Sequence, residues 1–484
     1  MGASNMESIQ KLMPFALMLL CISNIAVAKP NEVHDISGSW QGALSISGQS
    51  LPLIFHINHD LTATMDSPAQ GANHIPIKSV TIEGQEVIIT VEVAQATFVG
   101  KLDSKNNSIE GHWNQGPNKL PLSLKKAKKE LRSEINRPQH PSPPFQYVVE
   151  EVKFQNHEQN IELAGTLTLP SSTGEFPAVV LITGSGPQDR DQTFMGHKTF
   201  LVIADHFTRH GIAVLRFDDR GVGLSSGDFT TATSADFAQD VSAAVDFLAV
   251  HNNISKDNIG LIGHSEGGLI APITANENPN VSFITLLAGP GQTGNDISIW
   301  QIKTILHANG LSLEAATAGS EITRALNSAV INNANKDTLE SELLSTYDMK
   351  WQALPDAIKV EIQAIGGGNL PKARIEVLST NWTKYFLKHN PMTYLENLDI
   401  PVLAIHGDKD TQMDMNLNLS KIRHALQQQS HPLSKVEKIS GVNHLFQRAD
   451  SGLMSEYSQI EETMSPAVLQ MLSSWVLKVS SENK

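Results

Sequence analysis

Residues 258–268 read Asn258-Ile259-Gly260-Leu261-Ile262-Gly263-His264-Ser265-Glu266-Gly267-Gly268. The apolar run ending at Ile262 has the length and composition of a buried strand, and the stretch from Gly268 to Ala275 favours helix. Between them Gly263 to Gly267 spell G-x-S-x-G, a sharp strand-to-helix turn with a serine at its apex. A serine hydroxyl is a poor nucleophile. Lifted clear of a sheet on such a turn, it can lose its proton to a histidine while two backbone N–H groups hold the oxyanion. The flanking glycines have no Cβ to crowd the approach of strand and helix.

On a turn of this kind the acid and then the base follow the serine along the chain. Ile400 to Ile405 is a short buried-strand pattern that runs into His406-Gly407-Asp408-Lys409-Asp410. Val436 to Ile439 is a final strand followed by Ser440-Gly441-Val442-Asn443-His444. His444 is therefore the candidate base, and Asp408, Asp410 and Asp414 are the candidate acids. The chain has 18 histidines, and His264, His389 and His406 are assigned to packing or to supporting the catalytic residues from behind. Oxyanion donors are expected from the N–H of Glu266, directly after the serine, and from the loop after strand Ala178 to Ile182. In that loop, Thr183-Gly184-Ser185-Gly186-Pro187, the expected donor is the Ser185 N–H, with Gly186 as the alternative. The glycine-rich segment Asp218 to Ser225, after strand Ile212 to Phe217, lacks the G-x-x-x-x-G-K-[ST] spacing of a phosphate cradle. It reads as a structural loop in which Arg220 pairs with an acid. No H-E-x-x-H, cysteine cluster or dinucleotide fingerprint is present, so no metal or organic cofactor is expected.

The strings LITGSGPQDRD (181–191), GIAVLRFDDRGVGLSSGDF (211–229), GLIGHSEGG (260–268), NWTKYFLKHNP (381–391), PVLAIHGDKD (401–410) and GVNHLFQ (441–447) resemble bacterial α/β-hydrolase carboxylesterases. Within these, the chain is most similar to the group with a GHSEGG elbow, the EstD-like esterases. The resemblance runs from about Tyr147 to the C-terminus. It implies Ser265 as nucleophile and His444 as base. It also implies Asp410 as acid, following Gly407 after two intervening residues in the family pattern, and a small carboxylic ester as substrate.

Residues 1–28 read as a secretory signal: Lys11 precedes the apolar run Leu12 to Ile22, and Ala26-Val27-Ala28 is an A-x-A cleavage site. Export to a periplasm or beyond is expected, with cleavage after Ala28. The run is too short to span a bilayer stably. The single cysteine, Cys21, lies inside the signal, so the mature chain would hold no disulfide. A net charge of −14 over 484 residues disfavours nucleic acid and anionic membrane surfaces as partners, since their phosphates would repel it.

Residues 31–125 show short alternating strands such as Leu51 to Ile57 and Val87 to Val93, the pattern of a small all-β domain. Trp40 and Trp113, near its two ends, are expected to plug its core. Residues 126–146, basic and then proline-rich, read as a solvated linker. From 147 to 484 strands alternate with helices, as in a mostly parallel sheet covered on both faces. Ser234 to Val250 is an amphipathic helix of that layer. Residues from about 290 to 397 carry helical periodicity without strong strands and are expected to form a lid, with Trp300, Ile305, Trp382, Tyr385 and Phe386 as candidates to line the substrate groove. The fold class expected is thus α/β, an α/β-hydrolase with a helical lid insertion, preceded by the all-β domain. Fold and triad do not fix the leaving group, so a serine peptidase of aminopeptidase or prolyl type is the rival. A non-catalytic binding protein is the rival of another class, and the intact set of candidate catalytic residues speaks against it.

Overall fold

The structure, a computed structural model, describes residues 35–482 except 47–48, 68–71, 117, 128–135, 334, 366 and 430. The expected signal at 1–28, with Cys21, lies outside the described residues. The strands from β1 (Gly38–Ile46) to β9 (Asn118–Lys126) form a nine-stranded sheet. Neighbouring strands are antiparallel, and pairing of β1 with β9 joins its two halves. Alternation puts Val87, Ile89 and Val91 on the buried face. Trp40 and Trp113 are buried there as expected, with the Trp40 indole N–H donating to the Ile36 carbonyl at 2.7 Å.

The basic, proline-rich join differs from the expected solvated linker. Lys125 and Lys126 are the last residues of β9, and the Lys126 ammonium lies 5.5 Å from the centre of the Trp40 ring. Further on, Arg137 donates to the carbonyls of Met195 and Ser458 at 3.1 and 2.9 Å, and Gln139 donates to that of Met464 at 2.7 Å. Composition alone hid this: guanidinium and amide donors that solvate well also satisfy loop carbonyls.

Beyond the join a second sheet is assembled. The antiparallel hairpin β10 (Val148–Asn156) and β11 (Ile161–Leu169) is followed by β12 (Phe176–Ile182), the two-residue strands β13 (Thr193–Phe194) and β14 (His197–Lys198), α1 (Thr199–Arg209) and β15 (Ala213–Phe217). Next come α2 (Ser234–Ala249), β16 (Ile254–His264), α3 (Gly267–Glu277) and β17 (Val281–Leu287). Seven helices then intervene: α4 (Gly294–Ala308), α5 (Leu313–Asn332), α6 (Lys336–Gln352), α7 (Asp356–Ala364), α8 (Lys372–Leu378), α9 (Asn381–Lys388) and α10 (Met392–Leu395). The chain closes with β18 (Val402–Gly407), α11 (Met415–Gln429), β19 (Lys435–Ile439), α12 (Met454–Tyr457) and α13 (Pro466–Glu482). The sheet order is β10-β11-β15-β12-β16-β17-β18-β19, antiparallel up to β15 and parallel from there on.

Successive side chains of one strand feed opposite cores. Val180 and Ile182 pack with Val241 of α2, Leu269 of α3 and Ile422 of α11, whereas Val179 and Leu181 pack with Phe207 of α1 and Leu472 of α13. Such two-sided burial is why these strands read as unbroken apolar runs. Helices α4 to α9 enclose a hydrophobic cluster of their own, with Leu326, Leu343, Trp351 and Leu387 inside it, while Leu395 of α10 belongs to the core of the sheet. The expected helical insertion is therefore a unit with its own core between β17 and β18, joined to the sheet through α10 and Phe386.

Candidate active site

The parallel strands end on one side of the sheet, where an open α/β sheet offers its crevice. Ser265 follows β16 directly and has φ +54°, a left-handed conformation costly for a residue with a Cβ and found where a turn must present a side chain. Two contacts hold it there: its N–H donates to the Leu287 carbonyl at 2.8 Å, and its carbonyl accepts from the Gly268 N–H at 2.9 Å. A Cβ on Gly263 would lie 2.0 Å from the Gly267 carbonyl oxygen, and one on Gly267 would lie 2.2 Å from that of Ile182. Glycine is thus required sterically at both positions.

His444 lies in the loop after β19 and Asp410 in the loop after β18. The His444 Nδ1 and Asp410 Oδ2 atoms are 2.7 Å apart, and both side chains are almost fully shielded from solvent. The other carboxylate oxygen, Oδ1, accepts the N–H groups of Gln412 and Met413 at 2.7 and 3.0 Å. Burial alone would raise the Asp410 pKa, but the His444 charge and hydrogen bond outweigh it and hold the group below its ordinary value. With its Nδ1 directed at a carboxylate, the imidazole keeps Nε2 as the atom able to take up a proton. Asp408 and Asp414 do other work. Asp408 accepts from the Gly441 N–H at 2.7 Å and the Ser440 hydroxyl at 2.9 Å, tying the two strand-end loops together, and Asp414 accepts from the Leu417 N–H at 3.0 Å in the first turn of α11.

His264 and His406 are buried, as expected for packing roles, and so is His389. His264 is more than filler, because it bridges two loops of the site. Gln192 uses its Oε1 to accept the Gly184 N–H at 3.3 Å and its Nε2 to donate to His264 Nδ1 at 3.1 Å, so the His264 Nε2–H must donate to the His444 carbonyl, 3.0 Å away. Burial pushes its pKa down to about 3, which keeps that tautomer neutral. Gln192 carried no motif; its role arises only when two distant loops meet.

Ser265 and His444 share a cavity of about 270 Å³ with Gly184 and Ser185. Its walls also include Gln188, Gln192 and Gln412, and Ile297, Gln301, Trp382 and Phe386 of the helical insertion. Trp382 and Phe386, one helical turn apart on α9, stack at 5.1 Å with 7° between their planes. Trp300, Ile305 and Tyr385, the other candidates for this wall, do not line the cavity. Ile297 and Gln301 present the facing side of α4, and Tyr385 packs on His389 at 5.5 Å. Among the described residues, no backbone carbonyl engages the N–H groups of Glu266, Ser185 or Gly186. Gly184, by contrast, is committed to Gln192. The Glu266 side chain is buried behind the turn and accepts from the Ser234 hydroxyl at 2.6 Å and the Trp382 indole N–H at 2.7 Å. Beneath it the bidentate pair of Arg220 with Asp240, at 2.7 and 2.9 Å, supplies the acid partner expected for Arg220. No cluster of three or more metal-ligating side chains occurs among the described residues.

Sheet order, elbow and helical insertion define the class: this is a hydrolase of the α/β fold. The chain belongs to the X-Pro dipeptidyl-peptidase (S15) family, whose profile matches residues 159–436. It is similar to the esterase EstD of Thermotoga maritima, 32% identical over 141 residues that make up 29% of this chain and 34% of that relative. The match thus spans about a third of the length of that relative. Among solved structures it is similar to the α/β hydrolase GrgF from Penicillium sp. sh18, with a TM-score of 0.41 and 16% identity over 69% of this chain and 99% of that one. A Pyrococcus furiosus esterase aligns with a TM-score of 0.38 and 15% identity over 69% of this chain and 91% of its own.

Proposed function

We propose that this protein is a serine carboxylesterase of the EstD-like group, hydrolysing small carboxylic esters through an acyl-enzyme. Ser265 Oγ attacks the ester carbonyl carbon while His444 Nε2 takes its proton, and Asp410 holds the imidazole tautomer and stabilises the imidazolium. The N–H groups of Glu266 and Ser185 hold the oxyanion. The imidazolium then protonates the departing alkoxide. Water, deprotonated by the same nitrogen, attacks the acyl carbon and frees Ser265.

What carries the ester reading is the cavity wall. The residues lining it are glutamines, aromatics and aliphatics without a carboxylate, and Glu266, the nearest acid in sequence, has its side chain engaged by Ser234 and Trp382. A peptidase that captures a free α-amine needs an acid to pair with it. The likeness to esterase EstD supports the same choice. The second reading, an X-Pro dipeptidyl peptidase, draws on the family's own description. Rates on a series of p-nitrophenyl esters beside X-Pro and aminoacyl p-nitroanilides discriminate: esters turned over with anilides inert are expected, and the reverse refutes the ester reading. We also propose export with cleavage after Ala28, which N-terminal sequencing of the mature protein tests.

A further inference from the structure

Two segments far apart in the sequence converge on one carboxylate. The Glu266 side chain grows from the residue after Ser265, is buried, and accepts from the Ser234 hydroxyl at the start of α2. It also accepts from the indole N–H of Trp382 on α9 at 2.7 Å. Trp382 and Phe386 are part of the insertion's wall of the Ser265 cavity. The insertion has its own hydrophobic core, and Phe386 on the same helix as Trp382 packs against the core of the sheet as well. The hydrogen bond from the half-buried indole adds direction to that packing, because breaking it strands an acceptor of the buried Glu266 carboxyl away from water.

We propose that the Glu266 side chain is a positioning residue that fixes the substrate wall through Trp382, so that the elbow and the pocket wall are held in register. This rests on the serine-hydrolase reading of Ser265 given above. It adds that pocket shape, and with it the size of acyl or alkoxy group accepted, is set from the elbow rather than by the insertion alone. What the clasp requires is an acceptor oxygen at Glu266, not a substrate contact.

The test is a double-mutant cycle on the full-length enzyme with p-nitrophenyl esters of increasing acyl length. Trp382→Phe keeps the ring and deletes the donor; it is expected to raise KM about fivefold or more and to flatten the chain-length preference, with a smaller change in kcat. Glu266→Ala is expected to raise KM about as much as Trp382→Phe does, and to raise it no further when Trp382→Phe is already present. Glu266→Gln, which retains an acceptor oxygen, should restore KM to within about threefold of wild type. An unchanged KM in Trp382→Phe, multiplicative KM effects in the double variant, or a Glu266→Gln enzyme as impaired as Glu266→Ala would each overturn the proposal. If Glu266→Ala does not fold, Trp382→Phe and Glu266→Gln still decide it. Should the wild type turn over no ester at all, the ester reading fails by itself. The clasp is then read from hydrogen exchange of the Trp382 indole N–H: slow exchange in wild type supports it, and exchange at the rate of a solvent-exposed indole contradicts it.

Discussion

The acid of the triad shows how far single residues can be argued. Three aspartates, Asp408, Asp410 and Asp414, fall within one short stretch, and sequence alone left all three open until a family resemblance selected Asp410. Geometry separates their duties physically: Asp410 reaches the imidazole at 2.7 Å, whereas Asp408 clasps the loop of Ser440 and Gly441. Asp410→Asn is expected to cut kcat by about 10⁴-fold, since an amide cannot hold the productive tautomer, while Asp408→Asn costs about tenfold or less. Measuring kcat for both variants decides the matter; a crippled Asp408→Asn beside a mild Asp410→Asn would reverse the assignment. Ser265 and His444, the proposed nucleophile and base, stood out in the sequence because acyl transfer on such a sheet calls for a nucleophile after one strand and a base after the last. Gln192 and Ser234 were not, because a glutamine amide and a serine hydroxyl acquire their roles from partners 72 and 32 residues away.

At the level of elements, strands were easier to read than the insertion. Buried parallel strands announce themselves as apolar runs, and β12, β15, β16, β18 and β19 fall within a few residues of the segments expected. Insertion helices were recognisable as helices, but which side each turns toward Ser265 depends on packing that periodicity does not specify. Hence Trp382 and Phe386 line the cavity while Trp300, Ile305 and Tyr385 do not. The joint of β16 with α3 is where an element-scale prediction is sharpest. A methyl on Gly263 would meet backbone atoms of Gly267 and Gly268 at 2.0 to 2.6 Å, and backbone cannot step aside as a flexible side chain can. Gly263→Ala is expected to cost about 3 kcal/mol or more of stability, as overpacking against fixed atoms does, and to abolish turnover. Thermal melting and a single ester assay check both halves, and an active, normally melting variant would contradict the elbow geometry.

Over the whole molecule, buried neutral histidines make stability depend on pH. Burial pushes His140, His197, His206 and His389 down to about 4 and His264 down to about 3. In the unfolded chain each titrates near 6.5. Their contribution is complete above pH 6.5 and is lost as pH falls from there toward 4, because the unfolded state takes up protons the folded state refuses. Asp219, Asp240 and Glu266, whose carboxyls burial pushes up, the first to about 8, act in the opposite sense across that interval. With His406 also pushed down by burial, six histidines oppose three acids, and Tm is expected to fall between pH 6.5 and pH 4. A Tm that is flat or rising over that interval would show the histidines to be protonated in the folded protein. The two-sheet architecture was legible from alternation in the first half and from strand-helix rhythm in the second. The docking of the proline-rich join by Arg137 and Gln139 was not, because those contacts reach loops more than 300 residues away as well as nearby ones.

The most direct test of the account is the turnover of a small p-nitrophenyl ester by Ser265→Ala, measured with the melting temperature of the same preparation. Alanine keeps the Cβ that the turn already accommodates and removes only the nucleophilic oxygen. The expected result is a loss of about 10⁴-fold or more in kcat with Tm within about 2 °C of wild type. Turnover close to wild type in a variant that melts normally would contradict the claim that Ser265 is the nucleophile.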